Sequence, residues 1–501
     1  MKNYKRKIIN QRLKKINNSL TENDFIFKIK SFINNINLLE LENNFKQSIR
    51  GPKPIPLWVP VCVWVYAYSQ GQLVYRKVAD LCKTHDHYYW LSGGYEPSEA
   101  YLETWKLRIL PLMPQLLKQI KALLIDKEII KNEILGLDGV KVQTWASTSQ
   151  NKTEEGINKE IDKLTNKLND TSNIDKKTEN KYKRRMNKLN CRKLELQKRK
   201  KEYPNNNLKD NMKINITSPD TVILKKRNGK WIQGINLQAI VNQDNIVNVH
   251  EPCRSSTDNG LLSLMYDKIA TFLKVIILQI YLLADCGYWN YEDIKRFDPQ
   301  KGYKIIMPDF ARVTKERKKK PGKKTDVYDI DKFKYKENED IYICKSEHKL
   351  TFIGTSTNIR KNSKYQRKTY RASVKDCKMC KYNKKCIGNV KNKSKILKVT
   401  VYDDQAIERF KDYFNKPENI ELYKKRITIN EPTHAHIFHN NGIERLHCLN
   451  GPQIDGEIAL LILIDTLKKV WRHHDPNFLI HIFLFFLYVK RIKIHPRFIL
   501  V

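Results

Sequence analysis

Two aspartates stand where a carboxylate is unfavourable. Asp138 lies inside the apolar segment Ile134-Leu135-Gly136-Leu137-Asp138-Gly139-Val140-Lys141-Val142, and Asp285 closes the apolar run from Val275 to Ala284. A carboxylate in such a strand must be protonated, paired or bound to a cation to offset desolvation. One alone also fits a plain hydrogen-bond acceptor. Two in adjacent strands of one sheet would converge and attract Mg²⁺, a hard ion that keeps several waters and needs few carboxylates. A third acid on a late helix would complete such a site, and spacing does not choose among Glu431, Glu444 and Glu457. Two divalent ions roughly 3.5–4 Å apart can activate a water or hydroxyl and stabilise the leaving oxygen of a phosphodiester.

A second constellation is sulfur. Cys377, Cys380 and Cys386 form a CxxC followed by a third thiol in Lys-rich sequence, and Cys344 lies upstream. Four thiolates can close a tetrahedral Zn²⁺ site, with CxxC supplying two ligands from one turn. A redox pair and unliganded thiols are the competing readings, and no thioredoxin-like βαβ pattern surrounds the motif. Cys62, Cys82, Cys191, Cys253, Cys286 and Cys448 have no such spacing.

Composition says what surrounds these groups. The 501 residues carry 94 Lys and Arg against 54 Asp and Glu, a net charge of +40, which points to a polyanion, either nucleic acid or an anionic membrane surface. No run of eighteen apolar residues marks a membrane span. The basic start, Met1 to Lys15, has no apolar signal core behind it. Ten cysteines are too sparse for a disulfide scaffold. The expectation is a chain of two or three domains in a reducing compartment that binds nucleic acid.

Several elements must position the acids. Residues 1–56 read as a basic segment ending in a Pro-rich linker. Leu57 to about Lys127 has helical spacing throughout, which predicts a small all-α domain at 57–128. Strand patterns follow at Ile134–Val142, Trp231–Val241 and Ile246–Val249, the last two joined by the turn Asn242–Asn245. Further strands are expected over Val275–Ala284 and Tyr303–Met307, with a helix at about 259–273 between. Residues 155–205 interrupt this pattern: Ile157, Ile161, Leu164 and Leu168, then Tyr182, Met186, Leu189 and Leu196, predict an antiparallel helical hairpin turning at 169–173. Between Lys176 and Glu202 stand 13 basic and 3 acidic residues, including Lys183, Arg184 and Arg185. That run is either a solvated face or a phosphate-contacting arm. Residues 310–400 read as a basic, Cys-containing insertion whose loop holds Lys318, Lys319 and Lys320. Residues 404–471 read as helical, broken near Pro432 and at 440–442. A packed apolar tail is expected over 472–501. Strands, a helix and more strands fit an α/β core with insertions.

At these residues the chain resembles bacterial insertion-sequence transposases of the DDE type, in the insertion-sequence-four superfamily and the group named for insertion sequence eleven-eighty-two. The resemblance runs from about Val59 to Lys469. It is carried by Tyr66-Ala67-Tyr68-Ser69-Gln70-Gly71, Trp90-Leu91-Ser92-Gly93-Gly94-Tyr95-Glu96-Pro97, Gly136-Leu137-Asp138-Gly139-Val140-Lys141 and Ser218-Pro219-Asp220. Further along it is carried by Gln233–Ala239, Ala284-Asp285-Cys286-Gly287-Tyr288, Tyr423-Lys424-Lys425-Arg426 with Asn430-Glu431-Pro432, and Gly456–Leu460. It implies an RNase H-like mixed-sheet catalytic core over 129–471, with Asp138, Asp285 and Glu431 as catalytic and metal-binding triad for Mg²⁺ or Mn²⁺. It also implies cleavage at element ends and strand transfer, with Tyr423 and Arg426 on phosphates near the cut. The implied partners are double-stranded DNA (terminal inverted repeats and target) and a second copy of the chain, in a bacterial cytoplasm at the nucleoid.

Two departures keep other readings open. Relatives follow the third acid with Phe-Gly and then a Lys, where this chain has Thr433-His434-Ala435-His436-Ile437-Phe438-His439. These histidines could serve as phosphate donors only when protonated. Ser98–Leu102 also replaces a more usual His-Ser-Thr-like segment, and the resemblance stops near Trp471, which suggests an altered tail. The alternatives are a non-catalytic DNA-binding relative of a transposase, or a metal-dependent nuclease without strand transfer.

Overall fold

A computed structural model of the chain describes residues 2–21, 24–34, 55–126, 130–170, 175–202, 211–226, 228–273, 279–309, 330–360, 363–387, 393–401 and 405–473. The chain divides into two compact units. Residues 1–202, 208–256 and 426–501 form one, and residues 203–207 and 257–425 the other.

Among its described residues the first unit opens with helices α1 (Lys2–Ser19), α2 (Phe25–Asn34), α3 (Trp58–Ser69), α4 (Tyr75–Thr84), α5 (Asp86–Leu91), α6 (Glu99–Ile109) and α7 (Met113–Asp126). The helical spacing from Leu57 onward is realised as helices. Helix α3 is apolar on every side and is buried from Val59 to Ser69, as a helix without a polar face must be.

Strand β1 (Ile134–Thr144) follows, then β2 (Asn151–Lys152), α8 (Glu154–Asn169), α9 (Lys176–Glu202), β3 (Ile214–Asn215), β4 (Val222–Lys225), β5 (Trp231–Asn242) and β6 (Val247–Cys253). Strand β5 is antiparallel to β1, with Ala239 opposite Asp138, and antiparallel to both β4 and β6 along its other edge. Covered on both edges, β5 is buried from Ile232 to Asn242.

The expected helical hairpin is α8 and α9. Thr153 caps α8 by accepting from the Gly156 amide at 3.2 Å. Ile157, Leu189 and Leu196 close a core with Ile214 and Ile216, flanked by Ile161 and Leu164.

The second unit contains α10 (Leu262–Leu273), β7 (Tyr281–Ala284), α11 (Tyr291–Arg296) and β8 (Ile305–Ile306). Strands β7 and β8 run parallel. Strand β7 is thus shorter than the Val275–Ala284 run, of which 275–278 lie outside the described residues. Strands β9 (Lys334–Lys336), β10 (Ile341–Ile343), β11 (Lys349–Arg360) and β12 (Ser363–Ala372) come next. They are followed by short helices α12 (Val374–Lys378) and α13 (Asn383–Ile387), strand β13 (Ile396–Val401) and helix α14 (Gln405–Asn415). The basic insertion therefore holds an antiparallel sheet in the order β13-β12-β11-β10-β9, which its Lys-rich sequence does not announce. Lys318, Lys319, Lys320 and the tail from residue 474 lie outside the described residues.

Helix α15 (Pro417–His434) contains Pro432 instead of ending there, continues into a π-helical turn at Ala435–His439, and is followed by β14 (Arg445–Leu446) and α16 (Gly451–His473). Proline removes the amide that would bond the Thr428 carbonyl. Asn245, in the β5–β6 turn at φ +59°, donates to that carbonyl at 2.9 Å instead. Of the two expected breaks, the one near Pro432 is absent because the orphaned acceptor has found a partner, and the one at 440–442 is present as a turn. Strand β14 pairs parallel with the end of β1.

Candidate active site

Asp138 points from the middle of β1, partly buried, and its Oδ1 accepts from the Gly139 amide at 3.0 Å. Its other oxygen lies 3.6 Å from Nη1 of Arg426, with the two side chains 22% and 17% exposed. Arg426 sits one turn before Asn430 on α15, so the two share a helix face. Asn430 is fully buried against β1: a Cβ on Gly136 would lie 2.5 Å from its Oδ1 and 2.8 Å from its Nδ2. Gly136 and Asp138 in turn share a face of β1. The structure thus lays Arg426 and Asn430 along Gly136 and Asp138. Glu431 is the next residue, turned about 100° around the helix, and it is exposed.

The other acids separate cleanly. Glu457 is fully buried on α16 and accepts from the Tyr68 hydroxyl at 2.7 Å and from the His447 and Cys448 amides at 2.9 Å each. A carboxylate with three donors is a structural anchor, not an open ligand. Glu444 is exposed.

In the second unit Asp285 follows β7 and caps the turn Cys286–Tyr288, its Oδ1 accepting from the Gly287 amide at 2.7 Å. A Cβ on Gly287 would stand 2.8 Å from that oxygen and 3.4 Å from Oδ2 of Asp258. Asp258 is therefore a carboxylate beside Asp285 that sequence reading missed. It lies in the polar stretch Ser255–Gly260, where nothing distinguishes it from a loop residue. The Asn259 amide group fastens this stretch to the Trp289 carbonyl at 2.6 Å.

His434 sits one turn beyond Asn430. Burial, and then the nearby charge of Lys469, push its pKa down to about 4, and neither ring nitrogen has a hydrogen-bond partner. A neutral, enclosed imidazole does not donate a charged hydrogen bond to phosphate, so that reading of His434 is not supported. Lys469 is itself paired with Asp465 at 2.6 Å, and burial raises the Asp465 pKa.

The predicted DNA contacts are placed unequally. Lys183 pairs with Glu179 at 2.5 Å and Arg184 is exposed on α9. Arg185 turns inward to Glu160 at 2.8 Å and Gln150 at 3.3 Å, tying α9 to α8. Tyr423 stacks edge-on against Phe414 with ring centroids 5.3 Å apart. Cys344, Cys377, Cys380 and Cys386 all line one cavity.

Asp138, Asp258, Asp285 and Glu431 offer the oxygen donors a hard divalent cation takes. Among the described residues, however, no three His, Cys, Asp or Glu side chains stand in a grouping that could hold a metal ion as they are. Donor type fits Mg²⁺ or Mn²⁺.

No curated protein and no solved structure matches the chain. Residues 343–471, which run from the end of β10 through α16 and include Tyr423, Arg426 and Glu431 but neither Asp138 nor Asp285, match the model of the family described as transposase DDE domain.

Proposed function

We propose that the chain is a DDE transposase that cleaves DNA at the ends of an insertion sequence and transfers the freed strand into a target. The observation that carries this reading is the family match over 343–471, which takes in α15, the helix whose Arg426 reaches Asp138 on β1. The net charge of +40 supports a polyanionic substrate. An antiparallel set β1, β5, β6 and a parallel pair β7, β8 are ingredients consistent with an RNase H-like core. The finer assignments, to the insertion-sequence-four superfamily and the eleven-eighty-two group, rest on the quoted motifs. So do the helical domain at 57–128, the catalytic domain at 129–471, pairing of two copies on two ends, and a place at the bacterial nucleoid. Among the described residues no helix is long and apolar enough to cross a membrane.

In this reading Asp138, Asp285 and Glu431 hold Mg²⁺ or Mn²⁺, and Asp258 supports Asp285. When bound, the metal supplies activation of a water or 3′-hydroxyl and stabilises the leaving oxygen. Arg426 holds the Asp138 carboxylate as a counter-charge and, as a planar fork, is suited to a DNA phosphate beside it. The exposed side of α9 and the basic loop with Lys318, Lys319 and Lys320 carry phosphate contacts along the flanking duplex.

A second reading has a specific observation behind it. Asn430, not Glu431, is the α15 residue that faces β1, which favours a non-catalytic DNA-binding relative. A cleavage and joining assay on terminal inverted-repeat DNA with Mg²⁺ separates the cases. Cleavage plus joining, lost in Asp138→Asn, supports the transposase. Cleavage without joining supports a nuclease, and binding alone supports the non-catalytic relative.

A further inference from the structure

The thiol cluster belongs to none of the chemistry above, and its surroundings are built for something. Cys344 begins the tight turn between β10 and β11, closed by the Glu347 amide donating to the Cys344 carbonyl at 2.9 Å. Cys377 lies on α12, Cys380 in the turn after it and Cys386 on α13. Two segments distant in sequence therefore deliver four sulfurs to one cavity, with His348 and Asp376 at its margin.

Two of the sulfurs accept hydrogen bonds from backbone amides. The Tyr382 amide points at Sγ of Cys380 at 3.4 Å, and the Lys395 amide at Sγ of Cys377 at 3.5 Å. Ser346, from the Cys344 turn, reaches Sγ of Cys380 at 3.3 Å and so joins the two halves of the cluster. Lys395 bonds the Cys386 carbonyl at 2.8 Å, leaving its ammonium beside the cluster.

The cluster also packs on the sheet. Among the described residues Phe333, Tyr342, Leu350, Tyr370, Ala372 and Leu397 form a buried core, with Cys344, Cys377 and Cys386 packed against it. All four cysteines are free thiols.

We propose that Cys344, Cys377, Cys380 and Cys386 bind one structural Zn²⁺ that staples the β10–β11 turn to the α12–α13 segment. Four soft sulfur donors suit Zn²⁺ and fill its tetrahedral shell, leaving no open position for catalysis. The sulfurs ring the cavity without yet converging. Zinc binding therefore requires the side chains to turn inward by changes of χ1 rotamer. All four residues are partly exposed, so an ion has a way in.

The test uses the full chain, purified reduced and incubated with stoichiometric Zn²⁺, with metal content read after dialysis. About one zinc per chain is expected, released as the thiols are titrated. Cys380→Ser and Cys386→Ser lower it to background, while Cys191→Ser, on the exposed side of α9, and His348→Ala retain it. Co²⁺ in the unmutated chain, which needs no variant to fold, should give the absorption of a tetrahedral tetrathiolate. Zinc-free reduced protein, a Co²⁺ spectrum without thiolate charge transfer, or zinc retained in both serine variants would each overturn the proposal.

Discussion

Nη1 of Arg426 stands 3.6 Å from Oδ2 of Asp138, both side chains largely withdrawn from water. The arginine thus occupies the place of a counter-ion on the carboxylate expected to do the chemistry. Truncation strands a poorly solvated charge. Arg426→Ala should destabilise the chain by about 1–2 kcal/mol, between the values for exposed and buried pairs. In urea unfolding the Asp138→Asn, Arg426→Ala double variant should recover most of that loss. Additive losses would show that the two groups do not interact.

Close packing of Asn430 on Gly136 gives a second expectation. A methyl group at 136 meets the carboxamide at 2.5 Å, so Gly136→Ala should cost about 1–3 kcal/mol, as overpacking does. Asn430→Ala should be far milder, because both polar atoms of that buried side chain lack hydrogen-bond partners, and it should rescue Gly136→Ala. Differential scanning calorimetry on the three variants checks the order.

Glu457 anchors helices distant in sequence. Tyr68→Phe removes a hydrogen bond to a buried carboxylate and should cost about 1.5–3 kcal/mol. Glu457→Ala should cost more, since it strands the His447 and Cys448 amides as well. If Glu457→Ala left stability intact and abolished metal binding, Glu457 would be a ligand after all.

His434 sets a pH dependence. Its folded pKa, about 4, lies below the unfolded value near 6.5, so the unfolded chain binds the proton more readily. Its contribution is complete above pH 6.5 and is lost as pH falls from there toward 4, on the order of 3 kcal/mol across the window. His434→Phe should flatten the stability profile over that range in chemical denaturation. An unchanged slope would mean that the ring is already solvated.

On α9, Lys177, Lys181 and Arg184 repeat at helical spacing on the exposed side, whereas Arg185 is tied to Glu160. Replacing the first three by Gln should reduce the slope of log affinity against log salt for duplex DNA by up to about 2.7, at 0.9 per phosphate contact. Arg185→Ala should weaken the hairpin and barely move the slope. Equal slopes in the triple variant would leave the stripe as solvated surface.

Periodicity made much of this fold readable. Alternation and β-branched residues marked β1, β5 and β6, and apolar spacing marked the α8–α9 hairpin. The sheet β9–β13 stayed hidden because its two long strands, β11 and β12, are made mostly of polar and basic residues, so composition masked the alternation. Pro432 read as a helix stop because its rescue comes from Asn245, remote in sequence. Asp138 and Asp285 were legible through their apolar neighbours; Asp258 had no such contrast. That Asn430 rather than Glu431 meets β1 is a matter of one helical position, which motif spacing does not resolve.

The central claim is that Asp138, Asp285 and Glu431 share a cation. Fe²⁺ in place of Mg²⁺, with ascorbate and peroxide, cuts a polypeptide next to where the ion sits. The account predicts cleavage beside residues 138, 285 and 431 together, suppressed by excess Mg²⁺. Cuts that spare 431 or 285, or that Mg²⁺ does not suppress, would contradict it.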